Sequence, residues 1–470
     1  MLGIESNPEE IEIILAKTRQ LKRLTLEESA KLLAVKDGSL LKKIYEAAAY
    51  VKNTIYGKRV VMFVPLYISN ICANSCLYCG FAANNKLAVR KRLSIQEIKE
   101  QTEILLKRGH KRILMVAGEA ASARQNIDYY VDAVKAVYAA EYKGNKIKRV
   151  NVNAAPMSVE DFKKLKASGI GTYQIFQETY REETYRRLHV AGPKTDPDKR
   201  LDAIDNAFAA GIDDVGIGPL LGLYKPNFEI LAMLMHIEYL ENKYGIGPHT
   251  ISVPRIEPAP GSDYSSCPDY KITDEDFKKI VAVLRLSVPY TGIIMSTRET
   301  AELRDELVNL GVSQVSAESK VTPGGYECQG DQGCQGDVAA DINVSSYVPL
   351  TASPIPERQF SLNDQRSLDE IAQSLLAQGY VPSFCAACYR KNRTGEHFMD
   401  LAKPGEIKHM CDINALITLK EYLEDFAGPE VKEAGYKLIE EYKKNLDEES
   451  LKLLEQFFQN IDGGVRDEYI

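Results

Sequence analysis

Short apolar runs rich in β-forming residues alternate with longer amphipathic segments between about residue 63 and residue 315. This alternation predicts strands that are each followed by a helix, which is the pattern of a parallel sheet. Before residue 60, apolar positions at helical spacing predict helices only. Eight runs are typical of strands, at residues 63–69, 112–116, 149–153, 172–176, 214–217, 250–253, 292–295 and 312–315.

Helix start and stop signals lie between these runs. Ser94 is followed three residues later by Glu97, which is the capping-box pattern, and Gly109 stands where that helix should end. Similar start signals occur at Thr25, Ser158 and Thr273. Eight strand–helix repeats close most simply into an α/β fold of the TIM type, a (β/α)8 barrel. An open doubly wound sheet is the alternative, but no Gly-x-Gly-x-x-Gly turn follows the first strand.

After about residue 317 the alternation is lost. Residues 322–337 are rich in glycine and polar side chains, which predicts a loop. The rest is predicted to be mainly helical, with charged amphipathic helices from about 416 to 459 and a disordered end at 462–470. We therefore expect an N-terminal helical extension at 1–60, a barrel at 61–320 and a C-terminal domain at 321–470.

Composition and charge narrow the possible functions. Lysine and arginine total 59 against 66 aspartates and glutamates, a formal charge of −7, which argues against binding to nucleic acid. The basic run at residues 90–92 is interpreted as solvated surface. The start of the chain is acidic and no apolar stretch approaches the ~18 residues that cross a membrane, so we expect a cytoplasmic protein. Nine cysteines in a reducing compartment indicate metal or redox chemistry.

Three of these cysteines, Cys72, Cys76 and Cys79, directly follow the first predicted strand. Three closely spaced thiolates can bind a cubane iron–sulfur cluster and leave its fourth iron open to a substrate or cofactor. In a barrel, the loops after the strands build the active site. A zinc site is the alternative, but zinc usually takes four ligands, and the next candidates, His110 and Cys267, are distant in sequence.

A second motif has Cys385 and Cys388 in a CxxC pair, followed after twenty-two residues by Cys411. A zinc site completed by His397 or His409 is possible on spacing alone. Because the first motif already indicates iron–sulfur chemistry, a second iron–sulfur cluster is the favoured interpretation. Residues 321–470 would then form an auxiliary cluster domain.

The CxxxCxxC motif, with Tyr78 before its last cysteine, resembles that of the radical S-adenosylmethionine (SAM) superfamily. The Gly-Gly-Glu segment of that superfamily, which contacts the amino group of SAM, is similar to Ala117, Gly118 and Glu119 here. The resemblance implies two cofactors, SAM and a 4Fe–4S cluster held by Cys72, Cys76 and Cys79. An electron from the cluster then cleaves SAM into methionine and a 5′-deoxyadenosyl radical.

Residues 173–180 (YQIFQETY) resemble those of the tyrosine lyases in this superfamily. That likeness implies that Glu178 contacts the ribose of SAM and that Arg200, or alternatively Arg187, pairs with its carboxylate. Candidate substrate-binding residues are Gln177 and Tyr180 in the same segment and Arg298, which follows the seventh predicted strand. An arginine there suits the carboxylate of an amino acid, although an ordinary ion pair would explain it equally well.

With the second cysteine motif and the SKVTPGGY stretch at 319–326, the chain resembles the FeFe-hydrogenase maturases of the tyrosine lyase group. Their chemistry implies cleavage of L-tyrosine to p-cresol and dehydroglycine. Carbon monoxide and cyanide then form on an additional labile iron at a second 4Fe–4S cluster, for assembly of the hydrogenase active site. One alternative is the thiamine-type 2-iminoacetate synthase, which lacks the second motif, and another is a non-enzymatic iron–sulfur scaffold or carrier.

Several expectations follow from this resemblance. The partners are an electron donor such as a ferredoxin or flavodoxin and other hydrogenase-maturation proteins. In some relatives a histidine in the loop after the sixth strand helps to hold the extra iron, but residues 257–269 contain none. The residues that could replace it are Asp263, Ser265, Ser266 and Cys267, or water could do so. Cys328 and Cys334, in the glycine-rich loop, are interpreted as spectators.

Overall fold

The computed structural model describes residues 7–120, 123–326 and 358–470. The described residues begin with three helices: α1 (Pro8–Thr18), α2 (Leu26–Ala34) and α3 (Gly38–Tyr56). Thr25 begins α2 with both hydrogen bonds of a capping box, as its spacing from Glu28 predicts. Residues of α3 such as Ile44 and Val51 are fully buried, because this helix packs against the barrel described next.

In the described part of the chain, nine parallel strands form one sheet. They are β1 (Arg59–Ser69), β2 (Arg112–Ala117), β3 (Arg149–Asn153), β4 (Tyr173–Gln174), β5 (Val215–Ile217), β6 (Thr250–Ser252), β7 (Gly292–Met295), β8 (Gln314–Ser316) and β9 (Val381–Ser383). β1 pairs with β2 on one side, where Val64 lies opposite Ile113, and with β8 on the other, where Val61 lies opposite Gln314. This double pairing closes eight strands into the predicted (β/α)8 barrel and confirms the fold class.

All eight predicted strands are present, and the differences lie at their ends. β4 has only two residues where five are predicted, because its continuation pairs irregularly: the amides of Ile175 and Gln177 donate to the carbonyls of Gly216 and Gly218. β9 is an addition. It pairs with the start of β1, where Arg59 lies opposite Val381, and its three residues are too short to stand out in the sequence.

The barrel helices lie outside the strands. They are α4 (Ile95–Lys107), α5 (Ala123–Ala139), α6 (Val159–Ala167), α7 (Glu182–Leu188), α8 (Pro197–Leu201), α9 (Ala203–Ala209), α10 (Pro226–Tyr244), α11 (Asp263–Ser266), α12 (Asp274–Ser287) and α13 (Ala301–Asn309), with a short 3-10 turn at Pro193–Thr195. The predicted caps at Ser94, Ser158 and Thr273 each accept the expected backbone hydrogen bond. Gly109 ends the first of these helices with φ +92°, a conformation that favours glycine.

Between residues 358 and 470 the structure describes six further helices: α14 (Leu368–Ala377), α15 (Ala387–Arg390), α16 (Gly395–Ala402), α17 (Ile407–Asp425), α18 (Pro429–Lys443) and α19 (Glu448–Asp462). α17 contacts β9, β1 and α3, so this region packs against the end of the barrel at which the strands begin. One continuous core joins Ile44, Val64 and Leu416 across the three predicted segments. The division at residues 60 and 320 therefore stays a prediction.

The prediction of a disordered end at 462–470 is wrong. Asp467 forms ion pairs with Arg390 and with Lys148, whose Nζ lies 2.8 Å from its carboxylate. The amide of Ile470 donates to Asn414 at 3.0 Å. The partners of this segment come from three distant parts of the chain, so its polar local sequence cannot reveal them. Among the described helices, none is both long and apolar enough to cross a membrane.

Candidate functional site

A cavity of about 210 Å³ opens at the end of the barrel where the strands finish. It brings together most of the residues that the sequence singles out. The predicted residues that line it are Cys72, Cys76, Tyr78, Cys79, Ala117, Gly118, Glu119, Glu178, Arg200 and Arg298. Gln177 and Tyr180 are absent from the described lining, as is Arg187, which pairs with Asp269 at the surface. The C-terminal ends of barrel strands are the usual place for an active site.

The first cysteine loop follows β1 and is held by backbone hydrogen bonds to other loops. The amide of Ala73 donates to the carbonyl of Glu119 at 2.7 Å, and that of Leu77 donates to Leu188 at 3.0 Å. Burial raises the pKa of the Cys76 thiol to about 12 and also raises the pKa of Cys79. A positively charged group such as iron would offset this effect of burial and stabilise the thiolates, which suits a cluster site.

A single metal ion fits the structure less well. Among the described residues, no three His, Cys, Asp or Glu side chains converge closely enough to hold one ion. A cubane needs a different arrangement, because its irons are separate and its thiolates need not meet at one point. His110, one candidate for a fourth zinc ligand, is buried elsewhere and its Nε2 lies 3.2 Å from Glu318. The donor set thus fits an iron–sulfur cluster better than zinc.

Arg90 supports the cysteine loop from behind. Its guanidinium donates to the carbonyl oxygens of Asn70 at 2.9 Å, Phe81 at 2.8 Å and Ala82 at 2.5 Å. The interpretation of residues 90–92 as solvated surface is therefore wrong for Arg90. The loop turns sharply around the cysteines and leaves carbonyl groups without secondary-structure partners, so a side chain must donate to them.

The segment after β2 closes over the cysteine loop. The amide of Gly118 donates to the carbonyl of Ser69 at 2.9 Å. A Cβ atom at Gly118 would lie 2.6 Å from the carbonyl oxygen of Ile71, so glycine is required there. Glu119 accepts a hydrogen bond from Asn74 at 2.7 Å. The carboxylate and nearby carbonyl groups can bind an ammonium group.

Glu178 is the acidic centre of the cavity. Its carboxylate lies 2.5 Å from Lys194 and 3.4 Å from Arg200. Burial alone would raise the pKa of this carboxyl, but Lys194 and Arg200 together outweigh burial and hold the pKa below its usual value. Arg200 also donates through Nε to the carbonyl of Phe176 at 2.6 Å. Lys194 was missed, since nothing in its local sequence distinguishes it from a surface lysine.

The backbone of Glu178 is strained. Its φ of +70° lies in the left-handed region, which costs a residue other than glycine about 1 kcal/mol or more. The flanking side chains point away from the cavity and bind the helix layer. Gln177 donates to the carbonyl of Pro197 at 3.2 Å, and the hydroxyl of Tyr180 lies 3.1 Å from His236 Nδ1. These two residues thus hold the segment in place, and the substrate contact expected of them stays a prediction.

Glu229 on α10 completes this support. Its carboxylate accepts hydrogen bonds from the hydroxyl of Thr179 and from the amide of Tyr180, the latter at 2.8 Å. The residue is fully buried, and burial raises the pKa of its carboxyl to about 7. It therefore fixes the two residues that follow Glu178. The sequence offers no sign of this role, because the residues that Glu229 binds lie about fifty positions earlier in the chain.

Replacing Glu229 with leucine is expected to lower the affinity for SAM about tenfold, because Glu178 loses its fixed conformation. Glutamine, which can bond both partners, should retain most of the affinity. Since the pKa of Glu229 is raised, its neutral form favours the fold, and stability falls as pH rises from about 4.5 through 7, by at most about 3 kcal/mol. Equilibrium dialysis and melting curves at pH 5.5 and 8 measure both effects. Equal SAM affinity in the parent, the leucine variant and the glutamine variant would exclude the role of Glu229 in fixing Glu178.

Arg298 also lines the cavity, and its guanidinium is 3.4 Å from the centre of the Phe360 ring. Burial lowers the pKa of this arginine. The hydroxyls of Ser316 and Ser319 line the same cavity, and neither has a hydrogen-bond partner in the part of the chain that the structure describes. A buried cation with nearby unpaired hydroxyls suits a ligand carboxylate.

The loop after β6 lies at this same end of the barrel. Ser262 donates to the carbonyl of Leu77 at 2.6 Å, and Asn85 donates to the carbonyl of Pro260 at 2.8 Å. Cys267 is exposed. The residues suggested as stand-ins for the missing histidine therefore accompany the first cysteine motif rather than the second. They are Asp263, Ser265, Ser266 and Cys267.

The second cysteine motif occupies the other end of the barrel. A cavity of about 50 Å³ is lined by Cys385, Cys388 and Cys411. It is also lined by Arg59 and Arg112, at the starts of β1 and β2, and by His249, which immediately precedes β6. His397 and His409, the candidates for completing a zinc site, are exposed and absent from the described lining.

The surroundings of the second motif are rich in unpaired donors. Within the described chain, Arg59 Nε, Arg112 Nε and the hydroxyl of Tyr389 are buried without a hydrogen-bond partner. Burial raises the pKa of the Cys388 thiol to about 12. Buried cations and donors around three cysteines fit an anionic cluster, which would accept their hydrogen bonds. Cys328 and Cys334 lie outside the described residues.

Comparison with known proteins identifies the family of this chain. A family model for the radical SAM superfamily matches residues 66–237, and one for the Biotin and Thiamin Synthesis associated domain matches residues 252–381. The 2-iminoacetate synthase of Escherichia coli (strain K12) is 30% identical over 364 residues, which cover 77% of this chain and 86% of that protein.

Two solved structures are similar over nearly the whole chain. A crystal structure of HydG, a maturase of the FeFe-hydrogenase, has a TM-score of 0.90 and 43% identity, and the match covers 99% of this chain and 96% of HydG. HydG from Carboxydothermus hydrogenoformans has a TM-score of 0.79 and 41% identity, with 96% and 94% covered. The chain therefore belongs to the radical SAM superfamily and, within it, to the HydG family of FeFe-hydrogenase maturases.

Proposed function

We propose that this radical SAM enzyme cleaves L-tyrosine to p-cresol and dehydroglycine at one end of its barrel and makes carbon monoxide and cyanide from dehydroglycine at the other. The observation that carries the proposal is the pair of cavities, each lined by three cysteines, at opposite ends of the same barrel. The likeness to 2-iminoacetate synthase supports the first reaction, and the likeness to HydG supports the pair.

At the first site, Cys72, Cys76 and Cys79 would hold a 4Fe–4S cluster. When bound, the cluster supplies an electron that cleaves SAM to methionine and a 5′-deoxyadenosyl radical. Ala117, Gly118 and Glu119 would hold the amino group of SAM, while Tyr78, whose hydroxyl lies 2.8 Å from His189, contributes its ring to the wall. Glu178 would bind the ribose, and Arg200 the carboxylate.

The substrate would lie between this cofactor site and Arg298. An arginine in a buried wall can orient the carboxylate of L-tyrosine by paired hydrogen bonds, and the free hydroxyls of Ser316 and Ser319 add further donors. A fixed carboxylate places the amino group and the Cα–Cβ bond at one position in the cavity. Lys194, already paired with Glu178, helps to keep the acidic side of the cavity neutral.

At the second site, Cys385, Cys388 and Cys411 would hold the auxiliary 4Fe–4S cluster. His249 lines the same cavity. We assign it as the ligand of the extra labile iron, in place of the histidine that the loop at 257–269 does not contain. It could not be recognised in the sequence, because it lies before β6 rather than after it. The expected partners are an electron donor and the other hydrogenase-maturation proteins.

The thiamine-type activity remains the second candidate, because the 2-iminoacetate synthase of E. coli is similar over 86% of its length. A scaffold or carrier explains less, since the first cavity is lined by Glu119, Glu178 and Arg200 as well as by cysteines. The deciding experiment is anaerobic reconstitution with iron and sulfide, followed by dithionite, SAM and L-tyrosine. All three products are expected: p-cresol, carbon monoxide and cyanide. Formation of p-cresol without carbon monoxide or cyanide would favour the thiamine-type activity. If no p-cresol forms, L-tyrosine is not the substrate.

A further inference from the structure

Exposed apolar side chains are concentrated around the first cysteine loop. Of eleven large hydrophobic residues that are exposed in the described chain, five lie there. We call these five the rim patch: Ile71, Leu77, Leu87, Val89 and Val190. Leu87, Val89 and Val190 are 57–61% exposed, although a lone apolar residue on a surface would need no explanation. The grouping of five such residues does need an explanation, because clustered apolar residues commonly mark interaction sites.

The three chain segments of the rim patch are joined by hydrogen bonds. Val190 donates through its amide to the carbonyl of Ser75 at 3.0 Å, and the amide of Leu77 donates to Leu188 at 3.0 Å. The side chain of Asn70 donates to the carbonyl of Val89 at 2.7 Å, next to Ile71. The three segments therefore lie next to one another around the cysteine loop.

The part of the rim patch that lies between residues 70 and 94 carries positive charge. Residues 70–94 include Lys86, Arg90, Lys91 and Arg92 but no aspartate or glutamate. Arg90 is engaged by loop carbonyls, and Lys91 faces Glu97 at 3.5 Å, whereas Lys86 is exposed beside Leu87. The chain as a whole carries a formal charge of −7, so this local excess of positive charge stands out. It would attract an acidic partner and orient its approach.

Two residues of the rim patch lie one peptide unit from the proposed cluster ligands. Ile71 directly precedes Cys72, and Leu77 lies between Cys76 and Tyr78. The inner side of the same loop faces the cavity, which SAM and the substrate would fill. A protein that delivers electrons to this cluster therefore approaches most closely from the outside, over the rim patch.

We propose that the rim patch and Lys86 form the docking surface for a small acidic protein that donates single electrons, with its redox centre near its own surface. This inference rests on the proposed function. One electron passes from the reduced donor to the oxidised first cluster, and the donor leaves in its oxidised form without transfer of atoms. A second copy of this chain is a poorer occupant, because a two-fold contact would place two positive patches face to face.

The test uses the double variant Lys86→Glu/Val89→Ser in the reconstituted full chain. A matched control, Lys42→Glu/Ile13→Ser, makes the same changes at exposed positions on the N-terminal helices. Formation of 5′-deoxyadenosine is measured with dithionite and, separately, with a flavodoxin kept reduced by its reductase. With dithionite, all three proteins should react within about twofold of one another. With limiting flavodoxin at low salt, only the rim variant should slow, by about tenfold.

Salt dependence gives a second measurement on the unaltered chain. Its rate with flavodoxin should fall as ionic strength rises, while its rate with dithionite changes little. Equal rates of 5′-deoxyadenosine formation with flavodoxin in the rim variant and the parent would overturn the inference. So would an equal loss of rate in the rim variant with dithionite, or an oligomeric state of that variant that differs from the parent's in sedimentation. If the parent gives no 5′-deoxyadenosine with dithionite, the proposed function itself fails.

Discussion

Replacement of Cys76 by alanine is expected to abolish cleavage of SAM, a fall of more than about 10³-fold. Cys76 is 6% exposed, and its thiol lines the cavity together with those of Cys72 and Cys79. With two thiolates left, the loop cannot hold a cubane by three corners, and no electron reaches SAM. Methionine and 5′-deoxyadenosine are measured by chromatography, with iron content determined on the same sample.

The control for this change is Cys267→Ala. Cys267 is an exposed thiol in the loop after β6 and does not belong to the described lining of either cavity. Its removal should leave the iron content and SAM cleavage within about twofold of the parent, because surface changes of this kind have small effects. Normal SAM cleavage by the Cys76 variant would contradict the assignment of the first cluster.

The second large effect is a separation of products. The double variant Cys385→Ala/Cys388→Ala should form p-cresol within about twofold of the parent rate, because changes at distant sites act independently. Carbon monoxide and cyanide should fall below detection. Both cysteines line the cavity at the start of the strands, whereas Glu178 and Arg298 line the one at their ends. Gas binding to haemoglobin and a cyanide assay measure the two products.

His249→Ala gives a finer version of the same experiment. We expect it to keep the auxiliary cluster, lose the labile iron and lose carbon monoxide, with p-cresol unchanged. Electron paramagnetic resonance of the reduced protein distinguishes the two states of the second site. A variant of the second site that also stops p-cresol formation would show that the two ends of the barrel do not act separately.

Local sequence was sufficient for much of the fold. Helix ends depend on interactions within a few residues, so their sequence patterns identify them reliably. Examples are the capping boxes at Thr25 and Ser94 and the left-handed conformation of Gly109. All eight barrel strands were predicted, since buried parallel strands are short apolar runs between such helices. Closely spaced cysteines likewise indicate a cluster site without any tertiary information.

Contacts between distant residues could not be predicted in this way. Glu229 accepts a hydrogen bond from Thr179, which lies fifty residues earlier in the chain. Lys194, which lies sixteen residues after Glu178, donates a hydrogen bond to it. The motif at 177–180 was recognisable, but only the tertiary structure shows that Glu178 alone of its side chains faces the cavity. The direction of each side chain depends on a left-handed backbone that a neighbouring helix stabilises.

The sequence alone therefore determined the barrel, its caps and the two sets of cysteines, because these depend on periodicity and on spacings of a few residues. Tertiary structure decided that the second set lies at the far end of the barrel, beside His249 and Arg59. It also decided that the segment ending at Ile470 is held by Asn414. Those outcomes depend on how the helices after β8 pack against the starts of the strands, and that packing sums many weak contacts between residues far apart in the chain.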